Sequence, residues 1–456
     1  MTPPRRGRAL AWHAAAGTLL LACASGAAAQ RIDSAATLAA LHDYRAACAA
    51  DGGRTWGRSL CGPVALVDRA TRVVIASDSV AGRAFLPYAG AFITTLPADI
   101  LLANTSFTWE GRQWAMVMLP LPGDRFARTA LLVHESFHRE QDSLGLVGGD
   151  PPNPQLDEME GRRWFRLELR ALAAALDSLP TSERGARRCA ADALLFRARR
   201  HALYPGADSL ESALEIREGL AEYTGERLAM ALTGEGPSRV ARAVRAYQAY
   251  PSYVRSFEYA TGPALGLLLD RFAPDWRSEV RQSSGPAHLL ATALRWRPPS
   301  PTVLARLAER RAAFYGGAEV AREEATRDSV RRAQLADYRA RLLDGPSIVL
   351  RQSTLSRSFN PSELVSFDSA STVYPTGTFT APWGSLVVTR GGGGGGGGAL
   401  VSNDFSWLRV QAPATPPADA RTIEGPGWTL TLAPGWSLRA VPSRPGTFEV
   451  VGERGS

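Results

Sequence analysis

The sequence contains no lysine, so every one of its 52 permanently basic residues is an arginine. With 44 acidic residues, the formal net charge is +8 at pH 7. Such a charge favours anionic surfaces, but the arginines are spread along helical segments beside Glu and Asp. Clusters such as Arg197-Ala-Arg-Arg200 are typical of solvated helix faces. We therefore expect no nucleic-acid partner.

Beyond residue 29 the chain also lacks an apolar run of the roughly 18 to 20 residues that a membrane-spanning helix needs. Residues 1–29 have the arginine-rich start, the apolar stretch and the Ala27-Ala-Ala29 motif of a secretory signal peptide. The mature chain is then exported to the periplasm or the extracellular space. Leu20-Leu-Ala-Cys23 resembles a lipobox, and in that alternative Cys23 carries a lipid anchor.

Cysteine is scarce, with four residues in all and three after signal cleavage. No Cys-x-x-Cys spacing is present, which excludes the common zinc-knuckle and thioredoxin-type motifs. Export permits disulfides, and Cys48 with Cys61 brackets a short glycine-rich loop. We predict a disulfide between them that contributes about 3 kcal/mol, and a buried, free Cys189.

Histidine is scarce too, with six residues, but two of them form His134-Glu135-Ser-Phe-His138 at the end of an apolar run. Residues four apart lie one above the other on a helix, so the two imidazoles can bind one zinc ion. Glu135 can then take a proton from a water on the open side of the metal. The alternative is an amphipathic helix that happens to carry two histidines.

The flanking residues support a helix here. Asp124 is a candidate N-cap, and Gly145 with the Pro and Gly residues after it ends the pattern. Arg139 departs from the metallopeptidase pattern, in which an uncharged residue usually follows the second His.

Hydrophobic periodicity predicts an α+β fold. A helix over 32–50 precedes strands at 63–68, 71–76, 92–95 and 113–119, and then the histidine helix, all within 30–150. We expect the last strand either to border the cleft and pair with extended substrate or to be a plain core strand. Residues 151–345 are helical, and 346–456 shift to short β-forming runs in a small β-rich domain. The glycine run 391–398 is a flexible loop or linker, because no Gly-Lys-Ser/Thr follows it.

Four glutamates of the helical part share one predicted helix face, at spacings of four, three and four: Glu211, Glu215, Glu218 and Glu222. Asp208-Ser-Leu-Glu211 has the character of a capping box at its start. Four carboxylates in one row repel each other unless cations face them. Either arginines or a metal with its histidines would meet that need.

The segment Arg217-Glu218-Gly-Leu-Ala-Glu222-Tyr resembles the third-ligand helix of the gluzincins, which are His-Glu-x-x-His zinc metallopeptidases. The resemblance covers about 113–270 and implies a zincin-like catalytic domain with one zinc per chain. It implies that Glu218 is the third ligand beside His134 and His138, and that Glu222 supports a zinc histidine. Gly219 would allow two helices to approach closely.

Tyr259-Ala-Thr-Gly262 is similar to the Tyr-x-x-Gly segment of gluzincin aminopeptidases, which implies that Tyr259 donates to the oxyanion. Tyr223 and Tyr253 are the alternatives. The Gly-x-Met-Glu-Asn motif that binds a substrate amine in those enzymes has no counterpart here.

The leading hypothesis is therefore an exported zinc metallopeptidase acting on a peptide or protein substrate, with Glu135 as the base. Two alternatives remain open. One is a non-catalytic envelope binding or scaffold protein that works through its β-domain. The other is a zinc hydrolase of a non-peptide ester or amide.

Overall fold

The computed structural model describes residues 33–80, 85–280, 285–352, 354–389, 397–415 and 420–452. The predicted signal peptide, the alternative lipid attachment at Cys23 and most of the glycine run 391–398 lie outside these ranges. A small sheet, a helical middle and a β-rich region follow each other along the chain. The predicted α+β class is confirmed.

Helix α1 (Ser34–Asp51) precedes a six-stranded sheet. Its strands are β1 (Val64–Asp68), β2 (Val73–Ala76), β3 (Leu86–Tyr88), β4 (Ala91–Thr95), β5 (Thr105–Trp109) and β6 (Arg112–Leu119). Their order is β3-β4-β2-β1-β6-β5, and β1 and β6 are the one parallel pair in it. The four predicted strands are confirmed as β1, β2, β4 and β6, whereas β3 and β5 were not predicted.

Strand β6 lies inside the sheet, so it cannot offer a free edge to an extended substrate. It pairs with β1 along Ala115–Leu119 and with β5 along Arg112–Met116. The Asn104 side chain accepts a hydrogen bond from the backbone N–H of Met118 at 2.8 Å. The edge strand on this side of the sheet is β5, and β3 forms the opposite edge.

Helix α2 (Arg125–Gln141) carries the two histidines of the His-Glu-x-x-His motif. The carboxylate of Asp124 accepts from the backbone N–H of Ala127 at 2.9 Å, which confirms the predicted N-cap. A short 3-10 turn follows α2, and Gly145 ends it with φ of 71°. The apolar face of α2, which includes Leu132, Val133 and Phe137, is fully buried.

The middle of the chain is helical. Its helices are α3 (Met159–Ser178), α4 (Glu183–Leu203), α5 (Ala207–Leu214), α6 (Leu220–Thr233), α7 (Pro237–Tyr247), α8 (Glu258–Phe272), α9 (Pro286–Ala293), α10 (Pro301–Ala312) and α11 (Gly317–Arg339). A π-helical segment, Glu215–Gly219, joins α5 to α6. None of the helices described combines the length and the apolar character needed to cross a bilayer.

The predicted capping box at Asp208 is wrong. Helix α5 begins at Ala207, so its N-cap is Gly206, two residues before Asp208, in the left-handed conformation, and no side chain caps it. Glu211 faces inward and pairs with Arg200 instead, because a buried guanidinium offers it stronger hydrogen bonds than a helix N-terminus.

The C-terminal region contains two sheets. Its strands are β7 (Ser347–Arg351), β8 (Ser356–Ser358), β9 (Val365–Ser366), β10 (Ser371–Tyr374), β11 (Gly377–Ala381), β12 (Gly384–Val388), β13 (Ala399–Ser402), β14 (Trp407–Gln411), β15 (Thr422–Gly425), β16 (Trp428–Leu432), β17 (Trp436–Ala440) and β18 (Thr447–Gly452). The orders are β17-β18-β7-β14-β13-β10-β9 and β15-β16-β12-β11-β8. Both sheets contribute to one apolar core, as in a sandwich.

This β-rich region packs against the helical part. The carboxylate of Asp157 accepts from the backbone N–H of Ser366 at 2.9 Å, and Arg331 donates to the carbonyl of Ser366 at 3.2 Å. A small apolar cluster, including Tyr338 and Leu342, continues from the end of α11 into the strands.

Cys48 and Cys61 are free thiols in the structure, and the disulfide between them stays a prediction. The loop between them is held without a covalent bond, because the Tyr44 hydroxyl donates to the carbonyl of Leu60 and accepts from the N–H of Gly62. The two thiols are nevertheless neighbours. A hydrogen bond from Cys48 lowers the pKa of Cys61 to about 7.

Because a large fraction of Cys61 is thiolate at neutral pH, we expect oxidised glutathione to convert this pair to a disulfide. A thiol reagent in denaturant should then find one thiol in the mature chain, from Cys189, and three after reduction. The Cys61→Ser variant should give two in both states. Three thiols after oxidation would contradict the expectation.

Two glycines lie in contact where the π-helical segment crosses α8. A Cβ on Gly219 would lie 3.2 Å from the Cα of Gly262. A Cβ on Gly262 would overlap the backbone of Gly219. The predicted close approach of two helices at Gly219 is confirmed.

Replacing Gly262 with Ala should force these helices apart and lower the free energy of unfolding by about 2 to 3 kcal/mol, as overpacking does elsewhere. Gly123→Ala is the matched control, because a Cβ there would meet no atom within 4 Å. Urea unfolding would measure both variants. Equal midpoints would show that the contact does not constrain the fold.

Candidate metal centre

His134 and His138 converge because they stand one turn apart on the buried side of α2. Their Nε2 atoms are 3.0 Å apart, and their ring centroids are 4.8 Å apart. Glu135, between them in sequence, is also buried. The sequence pattern alone predicted this arrangement.

Glu218 joins the two histidines from 80 positions farther along the chain. Its Oε2 atom lies 3.2 Å from His138 Nε2 and 3.5 Å from His134 Nε2. The π-helical segment places it there. The extra residue of a π-helical turn rotates the side chains that follow it about the helix axis, relative to a regular α-helix. Such segments are frequent at functional sites.

His134, His138 and Glu218 could together hold a metal ion. Bonds of about 2.0 to 2.1 Å in a tetrahedron require ligand atoms about 3.3 Å apart. The observed separations of 3.0, 3.2 and 3.5 Å fit that spacing. Two imidazoles and one carboxylate leave a fourth tetrahedral position for water or substrate.

Each histidine is oriented through its other ring nitrogen. Nδ1 of His134 lies 2.8 Å from Glu222 Oε2, and Nδ1 of His138 lies 2.9 Å from Gln141 Oε1. Because each of these oxygens accepts a hydrogen bond from Nδ1–H, the neutral tautomer of each histidine has its lone pair on Nε2, where a metal can bind. Glu222 therefore has the supporting position that the gluzincin resemblance implied.

Gln141 was not predicted as part of the site. Besides accepting from His138, its amide nitrogen donates to the backbone carbonyls of Ile216 and Arg217, both at 2.9 Å. It therefore ties α2 to the segment that carries Glu218. Its spacing of three residues from His138 was a signal, but the carbonyls that it binds are distant in sequence.

Burial and charge pairing act in opposite directions on the ligands. Burial disfavours charged His134, but its hydrogen bonds to Glu218 and Glu222 outweigh this and raise its pKa well above the ordinary value. Burial likewise opposes ionised Glu218, but His138 and His134 hold its pKa well below the ordinary range. The carboxylate of Glu218 is thus held ionised, as a metal ligand must be.

Glu135 differs from Glu218. Burial raises its pKa above the ordinary value, although the charges of the nearby His134 and His138 act in the opposite direction. Its Oε2 atom has no hydrogen-bond partner among the described residues. A buried carboxyl group with an unused oxygen and a raised pKa suits proton transfer better than a structural role.

Tyr259 lies beside the ligands, with its hydroxyl 3.4 Å from Glu218 Oε2 and its ring centroid 6.0 Å from that of His134. The two alternatives lie elsewhere. The hydroxyl of Tyr223 donates to Asp270, and that of Tyr253 donates to the carbonyl of Gln248. Tyr259 is therefore the tyrosine placed to act at this centre.

The row of four glutamates divides into two pairs. Glu211 and Glu215 are fully buried and bind Arg200 and Arg197, at 2.6 and 2.5 Å. Glu218 and Glu222 bind the histidines. Arginines thus face one half of the row, and the two histidines face the other half. Arg139 points away from the ligands and donates to the carbonyl of Leu60 at 2.8 Å.

The metal centre opens into a cleft of about 510 Å³. Residues 103–106, at the start of the free-edge strand β5, line one part of it. Arg357, Ser358, Phe359 and Pro361 of the β-rich region line another. Larger cavities lie elsewhere among the described residues, but the one described group of residues able to bind a metal opens into this cleft.

Replacing Gln141 with Ala should weaken metal binding about 10- to 100-fold, because His138 loses its orienting acceptor and Glu218 loses its tie to α2. Gln113→Ala is the control, since Gln113 pairs with Thr108 on the sheet. Competition with a chromophoric chelator would give both affinities. Equal affinities would mean that Gln141 does not position the centre.

Comparison with known protein-family models, with curated proteins and with solved structures finds no match for this chain.

Proposed function

We propose that this protein is an exported zinc-dependent metallopeptidase of gluzincin type. The observation that carries the proposal is the convergence of His134, His138 and Glu218 at ligand spacing beside the buried base Glu135. Two imidazoles and one carboxylate are the donor set of catalytic zinc in thermolysin-like enzymes. A site that keeps an open position and a base is a hydrolytic site rather than a structural one.

Zinc, when bound, would act as a Lewis acid that lowers the pKa of water toward about 7 and polarises the substrate carbonyl. Glu135 takes the proton of the attacking water and passes it to the leaving amine. Glu222 and Gln141 keep the histidines in the ligating tautomer. Tyr259 donates a hydrogen bond to the oxygen on which negative charge develops.

The free edge of β5 supports a peptide substrate. An extended peptide can add to an exposed strand through backbone hydrogen bonds, and residues 104–106 reach the same cleft as the ligands. A peptide bound along this strand would run through the cleft beside Glu135. The signal peptide predicted over 1–29 supports action in the periplasm or outside the cell, and Cys23 would tether the chain if the lipobox is used.

The Glu135→Gln variant should keep about one zinc per chain and lose peptide hydrolysis by at least about a thousandfold, because an amide cannot take the proton. Glu140→Gln is the matched control on the same helix, since Glu140 pairs with Arg58 and Arg139. Mass spectrometry of the metal and cleavage of a peptide library measure both properties.

The Glu218→Ala variant completes this test. It should lose zinc or bind it far more weakly, because two histidines alone leave the ion without its carboxylate. If the Glu135→Gln variant hydrolyses peptides at the wild-type rate, the mechanism is wrong. If the wild-type chain binds zinc at full occupancy but hydrolyses no peptide or ester, the non-catalytic scaffold would be favoured.

A further inference from the structure

The cleft wall away from the metal carries an excess of arginine. Its arginines are Arg69 after β1, Arg255 before α8 and Arg357 in β8, whereas Arg217 of the π-helical segment pairs with the ligand Glu218 at 3.6 Å. Asp150 is the one acidic lining residue outside the metal centre in the part of the chain that the structure describes. The positive charge of this wall is therefore only partly balanced.

Asp150 is shared between two of these arginines. Its Oδ1 atom lies 2.6 Å from Arg255, and its Oδ2 atom lies 3.3 Å from Arg357. One carboxylate cannot neutralise two guanidinium groups. A second anionic group in the cleft would neutralise the remaining positive charge. In a peptidase, the substrate can supply that group.

Both guanidinium groups are fixed in position before any ligand binds. Arg357 stacks on the ring of Phe405 at 3.9 Å from its centroid, and Arg255 lies over the same ring at 5.2 Å. The Arg255 side chain is only 1% exposed. Positions fixed in this way reduce the entropy lost on binding a ligand.

Arg255 also has unused hydrogen-bonding capacity. Its Nε and Nη2 atoms are buried and have no partner among the described residues. Leaving a buried donor unsatisfied costs about 1 to 3 kcal/mol, and more for a charged group. An acceptor on the ligand, or a shift of Asp150 toward Arg255 when another carboxylate binds Arg357, would remove that cost.

We propose that the arginine wall selects substrates that carry a carboxylate, with Arg357 as the main contact and Arg255 as its support. Guanidinium groups bind carboxylates through two parallel, charge-assisted hydrogen bonds. The carboxylate belongs either to an acidic side chain or to the peptide C-terminus. This inference rests on the proposed peptidase function, and it makes the β-rich region part of the substrate site.

Binding can be measured without catalysis in the zinc-loaded Glu135→Gln chain. The probes are four fluorescent peptides of one sequence, with an internal Glu or Gln and with a C-terminal acid or amide. We expect at least one carboxylate form to bind ten times or more tighter than the neutral peptide. A preference that follows the internal Glu identifies the side chain, and one that follows the free acid identifies the C-terminus.

Arg357→Gln, made in the same chain, should reduce this preference to threefold or less at unchanged zinc content. Arg357→Lys should keep part of it, because the charge remains. The control is Arg351→Gln in the same region, since Arg351 is 69% exposed and pairs with Glu449. A merely structural Arg357 would weaken binding of all four peptides equally.

Two outcomes would overturn the inference: equal binding of acidic and neutral peptides, or a preference that Arg357→Gln leaves intact. Failure of the proposed function looks different. In that case the zinc-loaded wild-type chain cleaves none of the four peptides, whatever their order of affinity.

Discussion

The contact between Gly219 and Gly262 sets the position of every group at the metal centre that does not come from α2. Because neither residue has a side chain, the π-helical segment and α8 can lie backbone to backbone. Glu218 immediately precedes one of these glycines, and Tyr259 stands three residues before the other. The same contact thus brings a ligand and the candidate oxyanion donor to the histidines together.

Buried ion pairs fix the segment from its other side. Glu215 accepts from Arg197 of α4 and also from the hydroxyl of Thr261, next to Gly262, at 2.7 Å. Arg200 binds Glu168 of α3 at 2.7 Å. Burying so much charge brings little net stability, but each partner would be costly to leave unpaired. The network therefore determines the position of Glu218 more than it determines the stability of the fold.

Local patterns predicted the parts of the site whose geometry is itself local. His134, Glu135 and His138 lie within two turns of one helix, so their spacing determines their geometry. Four strands and the Asp124 cap were predictable for the same reason. Glu218 and Glu222 required the family resemblance, because nothing local indicates which of four glutamates meets a histidine and which meets an arginine.

The features that were missed depend on distant contacts. Gln141 acts through carbonyls of the π-helical segment, and that segment itself interrupts a pattern that reads as one regular helix. Strand β5 lies at the edge because β6 inserts between it and β1, in a parallel pair with β1. This arrangement requires the chain to cross the sheet between β4 and β5. Asp208 looked like a cap because only its own neighbours were visible in the sequence.

The C-terminal β-rich region builds the cleft together with the helical part. Its strand β8 lines the cleft, and its Phe405 supports guanidinium groups from both parts of the chain. Asp157 and Arg331 of the helical part bind its backbone at Ser366. Since the wall of the cleft is built from both parts, the β-rich region cannot move away without removing Arg357 from the cleft. The charge of the cleft wall and the joining of the two parts therefore depend on the same few contacts.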